Sequence, residues 1–274
     1  MPKTAESAHN LGMMLIDSHC HLDFAVFDDD REALLAACRR NKITGFVVPG
    51  VTVKRWPALV ELVDNSEGMF GALGLHPLFM SQHRPDDIDQ LASALGEWHA
   101  VAVGEIGLDF YHAQSDQIAQ TALFESQLHI AKAFKLPVIL HVRKAHDQTL
   151  AILRRICPVG GIVHAFSGSE QQAKQYIALG FCLGVGGAAT YDRATRLRRT
   201  LSALPLSSLV LESDAPDMLP AGVARGERNS PLGLLPVVDL LSDLYQCSTD
   251  EIADKTTKNV LSVLGLPLNR ENRA

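Results

Sequence analysis

The chain has 274 residues, 47% of them hydrophobic and 20% charged, and a formal net charge of −6. That length suits one (β/α)₈ barrel of about 250 residues or two smaller domains. The composition excludes wholesale disorder, no apolar run is long enough to cross a bilayer, and the negative charge argues against a broad basic face for nucleic acid.

Residues 1–12 are polar and aperiodic. They read as a loose tail without the basic-then-apolar pattern of a secretion signal, ahead of one barrel domain over residues 13–274. Met13 or Met14 offers an alternative translation start, and a chain beginning at Met13 is expected to keep its stability and activity. Cys20, Cys38, Cys157, Cys182 and Cys247 are odd in number and form no CxxC. They read as small buried hydrophobes in a reducing, cytoplasmic compartment.

Strands are expected at residues 14–17, 45–48, 69–73, 100–104, 138–140, 161–163, 181–185 and 209–211. Most are rich in Val, Ile and Leu, as strands buried on both faces are. Helical periodicity lies between them. Residues 30–41 put Ala33, Leu34, Ala37 and Cys38 on one face, and residues 124–134, 169–179 and 232–245 read similarly. Pro236 requires the last of these to start close by. Eight strands alternating with helices imply a parallel sheet, either a closed TIM barrel, which the count of eight favours, or an open doubly wound sheet. The Pro- and Gly-rich stretch 214–231 reads as a long active-site loop.

In a barrel of this kind the chemistry sits at the C-terminal ends of the strands. There the chain carries His19 and His21, His76, Glu105, His141, His164 and Asp214 in turn. Residues two apart on a strand share a face, so His19 and His21 should both enter the barrel mouth while Cys20 faces the helices. Four histidines and two acids buried at one level are costly without a metal or partners. Together they point to a centre for divalent ions, with Glu105 placed to bridge two of them and Asp214 to bind one and accept a proton. His76, in a Leu-His-Pro turn, has two open readings, a substrate contact and a structural role. Asp109 is read as positioning a ligand or bracing its loop, and Asp17 as hydrogen bonding to a ligand histidine.

These residues fall in the segments Asp17-Ser18-His19-Cys20-His21, Gly74-Leu75-His76-Pro77, Gly104-Glu105-Ile106-Gly107-Leu108-Asp109, Leu136-Pro137-Val138-Ile139-Leu140-His141, Val163-His164-Ala165-Phe166-Ser167-Gly168 and Glu212-Ser213-Asp214-Ala215-Pro216. In content and order the segments resemble those of TatD-type deoxyribonucleases of the amidohydrolase superfamily, its YjjV-like branch in particular, from about Leu15 to the C-terminus. The resemblance implies a TIM barrel and metal-dependent hydrolysis of DNA phosphodiesters, often from the 3′ end. It implies one metal on His19, His21, Glu105 and Asp214 and a second on Glu105, His141 and His164. Arg228, in Arg-Asn-Ser-Pro, would meet phosphate. Glu-Ser-Asp stands where the family more usually has Glu-Thr-Asp, which keeps the acid.

The leading expectation is therefore a 3′–5′ exonuclease-like deoxyribonuclease using two divalent ions, magnesium, manganese or zinc. Arg143, Lys144, Arg193, Arg196, Arg198, Arg199, Arg225 and Arg228 are candidate phosphate contacts, although a solvated face is the simpler reading for most. Phe79, Tyr111 and Tyr191 could stack on unpaired bases. Hydrolysis of a small phosphoester, amide or lactone in the same site is the alternative. A non-catalytic metal-binding protein ranks last, because structural zinc sites are usually closed and four-coordinate. The expected partner is DNA or another phosphoester, with neither a membrane nor an obligate protein partner.

Overall fold

In a computed structural model, the structure describes residues 14–267 except 113, 115 and 225. The expectations for residues 1–12, Met13 and Arg225 lie outside the described residues. Eight parallel strands pair in chain order: β1 (Leu15–Asp17), β2 (Ile43–Pro49), β3 (Met69–Leu73), β4 (Ala102–Asp109), β5 (Val138–Arg143), β6 (Gly161–Val163), β7 (Phe181–Val185) and β8 (Leu209–Leu211). Helices α1 (Arg31–Arg40), α2 (Trp56–Asn65), α3 (Asp87–Glu97), α4 (Gln117–Phe134), α5 (His146–Ile156), α6 (Glu170–Ala178) and α7 (Thr195–Ser202) fill the crossovers. Helices α8 (Leu234–Tyr245) and α9 (Thr249–Val263) follow the last strand. This is the TIM barrel expected, and the open sheet is set aside. No helix among the described residues is long and apolar enough to cross a membrane.

Two apolar layers follow from the period of two along each strand. Ile16, Val47, Ala72, Ala102, Ile139, Ile162, Cys182 and Val210, one from each strand, pack together with Val260 and Leu264 of α9. Residues from every strand meet only inside the barrel, so this is its interior floor. The alternate positions, among them Leu15, Phe46, Leu73, Val103, Leu140, Val163, Leu183 and Leu211, pack outward under the helices.

The sheet closes between β8 and β1 through single contacts at the mouth. The Ser18 N–H donates to the Leu211 carbonyl (2.9 Å), the Asp214 N–H to that of His19 (2.9 Å) and the His21 N–H to that of Ala215 (2.7 Å). Asp17 completes this seam. Its carboxylate is wholly buried and accepts from the Ser213 N–H and hydroxyl and from the His19 backbone N–H. The hydrogen bond expected from Asp17 to a ligand imidazole is thus corrected: strand parity turns its side chain away from Ile16 and the barrel interior, toward Ser213. At the floor, the Thr257 hydroxyl donates to the Met14 carbonyl and the Asn259 amide to that of Leu209, so α9 spans both edges.

Glu105 departs from simple alternation. β4 runs on through it to Asp109, and the register with β5 is irregular between Val103 and Ile106. That irregularity turns Glu105 toward the interior, although by parity it would share the outward face of Val103.

Asp17→Ala should leave three buried donors at the seam without an acceptor. Unsatisfied buried donors cost about 1–3 kcal/mol each, partly relieved by relaxation, so the variant should lose about 2–4 kcal/mol in a urea unfolding curve. A loss below 0.5 kcal/mol, about the size of a surface substitution, would show that the seam does not depend on this carboxylate.

Candidate metal centre

The strand period carries the side chains from floor to mouth. Two residues beyond Ile139 comes His141, two beyond Ile162 comes His164, and two and four beyond Val210 come Glu212 and Asp214. β1 ends at Asp17, so His19 and His21 stand just past the strand rather than on it. They nevertheless converge, Nε2 to Nε2 at 3.3 Å, while Cys20 is buried in the layer under the helices.

Four ligand atoms meet there. The His19 Nε2 lies 3.2 Å from Glu105 Oε2 and 3.7 Å from Asp214 Oδ1, and the His21 Nε2 lies 3.6 and 3.8 Å from the same two oxygens. Ligand atoms about 2.1 Å from a tetrahedral divalent ion stand about 3.4 Å apart. The spacing and the nitrogen–carboxylate chemistry therefore fit one divalent ion.

The other carboxylate oxygen of Glu105 faces elsewhere. His76 Nε2 and His141 Nδ1 each lie 3.1 Å from Oε1. The His76 Nδ1 accepts the Leu78 N–H at 3.0 Å, which puts the ring proton on Nε2, donated to Glu105. His164 stacks on His19 at 3.7 Å between ring centres, with its Nε2 3.6 Å from Asp214 Oδ2. Among the described residues, ligand atoms within 4.8 Å of one another group as His19–His21–Asp214, His19–Glu105–His164 and His76–Glu105–His141. The set Glu105–His141–His164 is not gathered into one such group, and the His141 and His164 rings stand 6.3 Å apart.

Burial and mutual charge set the proton affinities. Burial opposes ionisation of Glu105, yet His76, His19 and His141 hold its carboxyl well below the usual range. Burial pushes the Asp214 carboxyl up to about 7 against the pull of His164, with Glu105, Glu212 and Asp217 adding to the push. Burial also pulls His21 down to about 4. His164 goes the other way. Burial opposes its charge, but Glu212, Asp214 and Glu105 raise the imidazole to about 10.

Two buried acids had no ligand role assigned from the sequence alone. Glu212 Oε1 lies 3.2 Å from the His164 Nδ1, though out of line with the ring N–H, and accepts the Ala165 N–H at 2.6 Å. Asp109 Oδ2 lies 2.9 Å from the His141 Nε2. The signal for Glu212 was present, since it shares strand parity with both Val210 and Asp214.

The expected phosphate contact of Arg228 does not match its position. Its guanidinium grips Asp30 in a two-pronged pair at 2.6 and 3.0 Å, reaches the Val26 carbonyl and lies over the Phe27 ring. Guanidinium and carboxylate forks match, and Asp30 supplies the fork. Arg198 is likewise committed to the Ala189 and Thr190 carbonyls. Arg143 is half-exposed and lies 3.6 Å over the exposed ring of Tyr111.

Cation uptake must displace the protons that Asp214 and His164 hold in the metal-free site. Affinity should therefore fall as pH drops below about 10, the value of His164, and more steeply below about 7, that of Asp214, and binding should release protons. Calorimetry in two buffers of different ionisation heat checks this. Equal heats in both would show no proton release.

The chain matches the family model described as TatD related DNase over residues 16–265. It is 40% identical to the Escherichia coli K12 protein named uncharacterized metal-dependent hydrolase YjjV, over 92% of this chain and 98% of that one. The crystal structure of YjjV, described as a TatD homologue, superposes with a TM-score of 0.89, again covering 92% and 98% of the two chains. A Cronobacter sakazakii protein named 3′-5′ ssDNA/RNA exonuclease TatD is 32% identical over 80% of this chain and 86% of its own. With a family match across nearly the whole barrel, and a full-length relative at this identity, the chain belongs to the TatD family of metal-dependent hydrolases.

Proposed function

We propose that the protein is a deoxyribonuclease that uses two divalent ions, magnesium, manganese or zinc, to shorten single-stranded DNA from an end. The observation that carries this reading is the orientation of Glu105. Oε2 faces the His19–His21–Asp214 group and Oε1 faces His141 and His76, the disposition of a carboxylate that bridges two cations. His164 would complete the second set from across the mouth, its ring 6.3 Å from that of His141 in the metal-free protein. Bound there, the cations would clamp a phosphodiester and lower the pKa of an attacking water.

The protein's own groups supply the rest. Asp214, whose carboxylate faces His19, His21 and His164, is placed to accept a proton from the attacking water. His76, its ring proton fixed on Nε2, braces the bridging carboxylate and points that donor into the mouth. The surroundings favour a thin substrate. Exposed Val26, Leu78, Tyr111 and Val223 stand on loops after β1, β3, β4 and β8, on the mouth side, and Arg143 backs Tyr111. An unpaired base can stack on Tyr111 at about 1–3 kcal/mol, beside the apolar contacts of the others. Asp28, Asp29, Asp30 and Glu32 line a groove beside the first loop and repel a phosphate backbone laid broadly across it. The name of the Cronobacter relative, which couples this family to single-stranded substrates, supports the same choice.

Matched single-stranded and duplex oligonucleotides, given to metal-loaded protein at equal ionic strength, test the reading. Turnover should be faster on single-stranded ends. Asp214→Asn should lose about 10²–10⁴-fold, and Glu105→Ala more than His76→Ala, which should keep its metal. No DNA cleavage beside rapid hydrolysis of small phosphoesters or lactones would move the assignment to a small-molecule hydrolase.

A further inference from the structure

Two carboxylates behind the centre touch no expected cation, and both are wholly buried: Asp109 and Glu212. Each meets a different nitrogen of a strand-end histidine. Asp109 Oδ2 lies 2.9 Å from Nε2 of His141, whose Nδ1 faces Glu105. Glu212 Oε1 lies 3.2 Å from Nδ1 of His164, whose Nε2 faces Asp214. The two rings thus present opposite nitrogens to the mouth.

We propose that Asp109 and Glu212 are positioning residues that hold His141 by Nε2 and His164 by Nδ1, so that His141 offers Nδ1 and His164 offers Nε2 to the second cation. This rests on the two-cation reading above. A neutral imidazole has one proton and one lone pair, and a partner that takes the N–H decides which nitrogen can bind a metal. Such outer carboxylates also raise ligand basicity.

Both acids are themselves fixed. The Asp109 Oδ1 accepts the Tyr111 N–H at 2.9 Å, leaving Oδ2 for the histidine, and the Asp109 N–H donates to Gln120 Oε1 at 2.8 Å. Glu212 Oε1 accepts the Ala165 N–H, next to His164 in the chain. Its Oε2 fits only because residue 184 is glycine: a Cβ there would stand 2.0 Å from that oxygen. β7 therefore leaves a slot for this side chain. A buried carboxylate is costly unless paired, and the nearest ionisable partners are the histidines, with the half-exposed Arg143 farther off at 4.0 Å from Asp109. The contrast with the first set is sharp. Among the described residues no carboxylate pairs with the Nδ1 atoms of His19 and His21, whereas Glu212 Oε1 stands 3.2 Å from that of His164, in contact without a hydrogen bond, and Asp109 Oδ2 2.9 Å from the His141 Nε2, so only the second set has acids behind it.

Asp109→Asn and Glu212→Gln keep size and shape while removing the charge. Metal-stripped wild type and variants would be titrated with zinc against a competing chelator, with thermal unfolding run on each metal-free protein. Wild type should bind two ions. Each variant should bind one of them about 10–100-fold more weakly and the other almost as before, with little change in metal-free stability. Two ions in wild type with unchanged affinities in the variants would overturn the positioning role alone. Fewer than two in wild type would overturn the two-cation reading and this proposal with it. A second measurement needs no substitution. Nitrogen-15 histidine spectra of zinc-loaded wild type should show the ring proton on Nε2 of His141 and on Nδ1 of His164. The same nitrogen protonated on both rings would refute the assignment even if a variant failed to fold.

Discussion

An ionised carboxylate taken out of water must be compensated where it lies, and Glu105 is 2% exposed at the heart of the barrel mouth. Much of the architecture around it answers that requirement. Histidines 19, 21, 76 and 141 reach it from three separate segments, with closest approaches between 3.1 and 3.6 Å. Each arrives because its own strand, or the turn just beyond, ends at the same level. A shift of one residue in any of these strands would turn an imidazole into the helical layer and expose the carboxylate's charge to apolar neighbours. The electrostatics of one side chain and the register of several strands are therefore one constraint seen from two sides.

The compensation is not uniform around the ring of ligands. Histidine 164 is charged by its surroundings, while His21 is kept neutral by burial. The difference lies in what stands beside each ring: Glu212 and Asp214 pair with the two nitrogens of His164, while no acid pairs with the Nδ1 atoms of His19 and His21 among the described residues.

Much of this was legible in the sequence because its signals are local. Short apolar runs located all eight strands, and the polar residues after six of them located the mouth. Where the reading fell short, the physics was long-range or masked. Helix α4 begins at Gln117, seven residues before the apolar pattern at Phe124 shows it, because its first turn runs against the pattern, with Ile118 exposed and Gln120 buried, and its cap is the Asp116 side chain. β4 was expected to stop at Gly104, since an acid between glycines resembles a turn, yet it continues to Asp109. There Gly107 brings its backbone so close to His141 that a Cβ would stand 2.0 Å from the carbonyl oxygen. Asp17 and Arg228 chose partners 196 and 198 positions away. No window of sequence contains both halves of such a pair.

The clasp formed by α9 has a bearing on how the molecule is made. His19 and Asp214 belong to opposite edges of the barrel, and the helix that ties those edges together comes after all eight strands in the chain. Synthesis proceeds from the N-terminus, so the early strands must wait, edge open, until β8 and α9 have emerged. Over that interval the half-built mouth holds its histidines without the acid that completes them. A nascent chain of this kind is thus without its complete centre until its eighth strand and the helix beyond are made, and it passes through a stage in which unpaired strand edges need shielding from other chains.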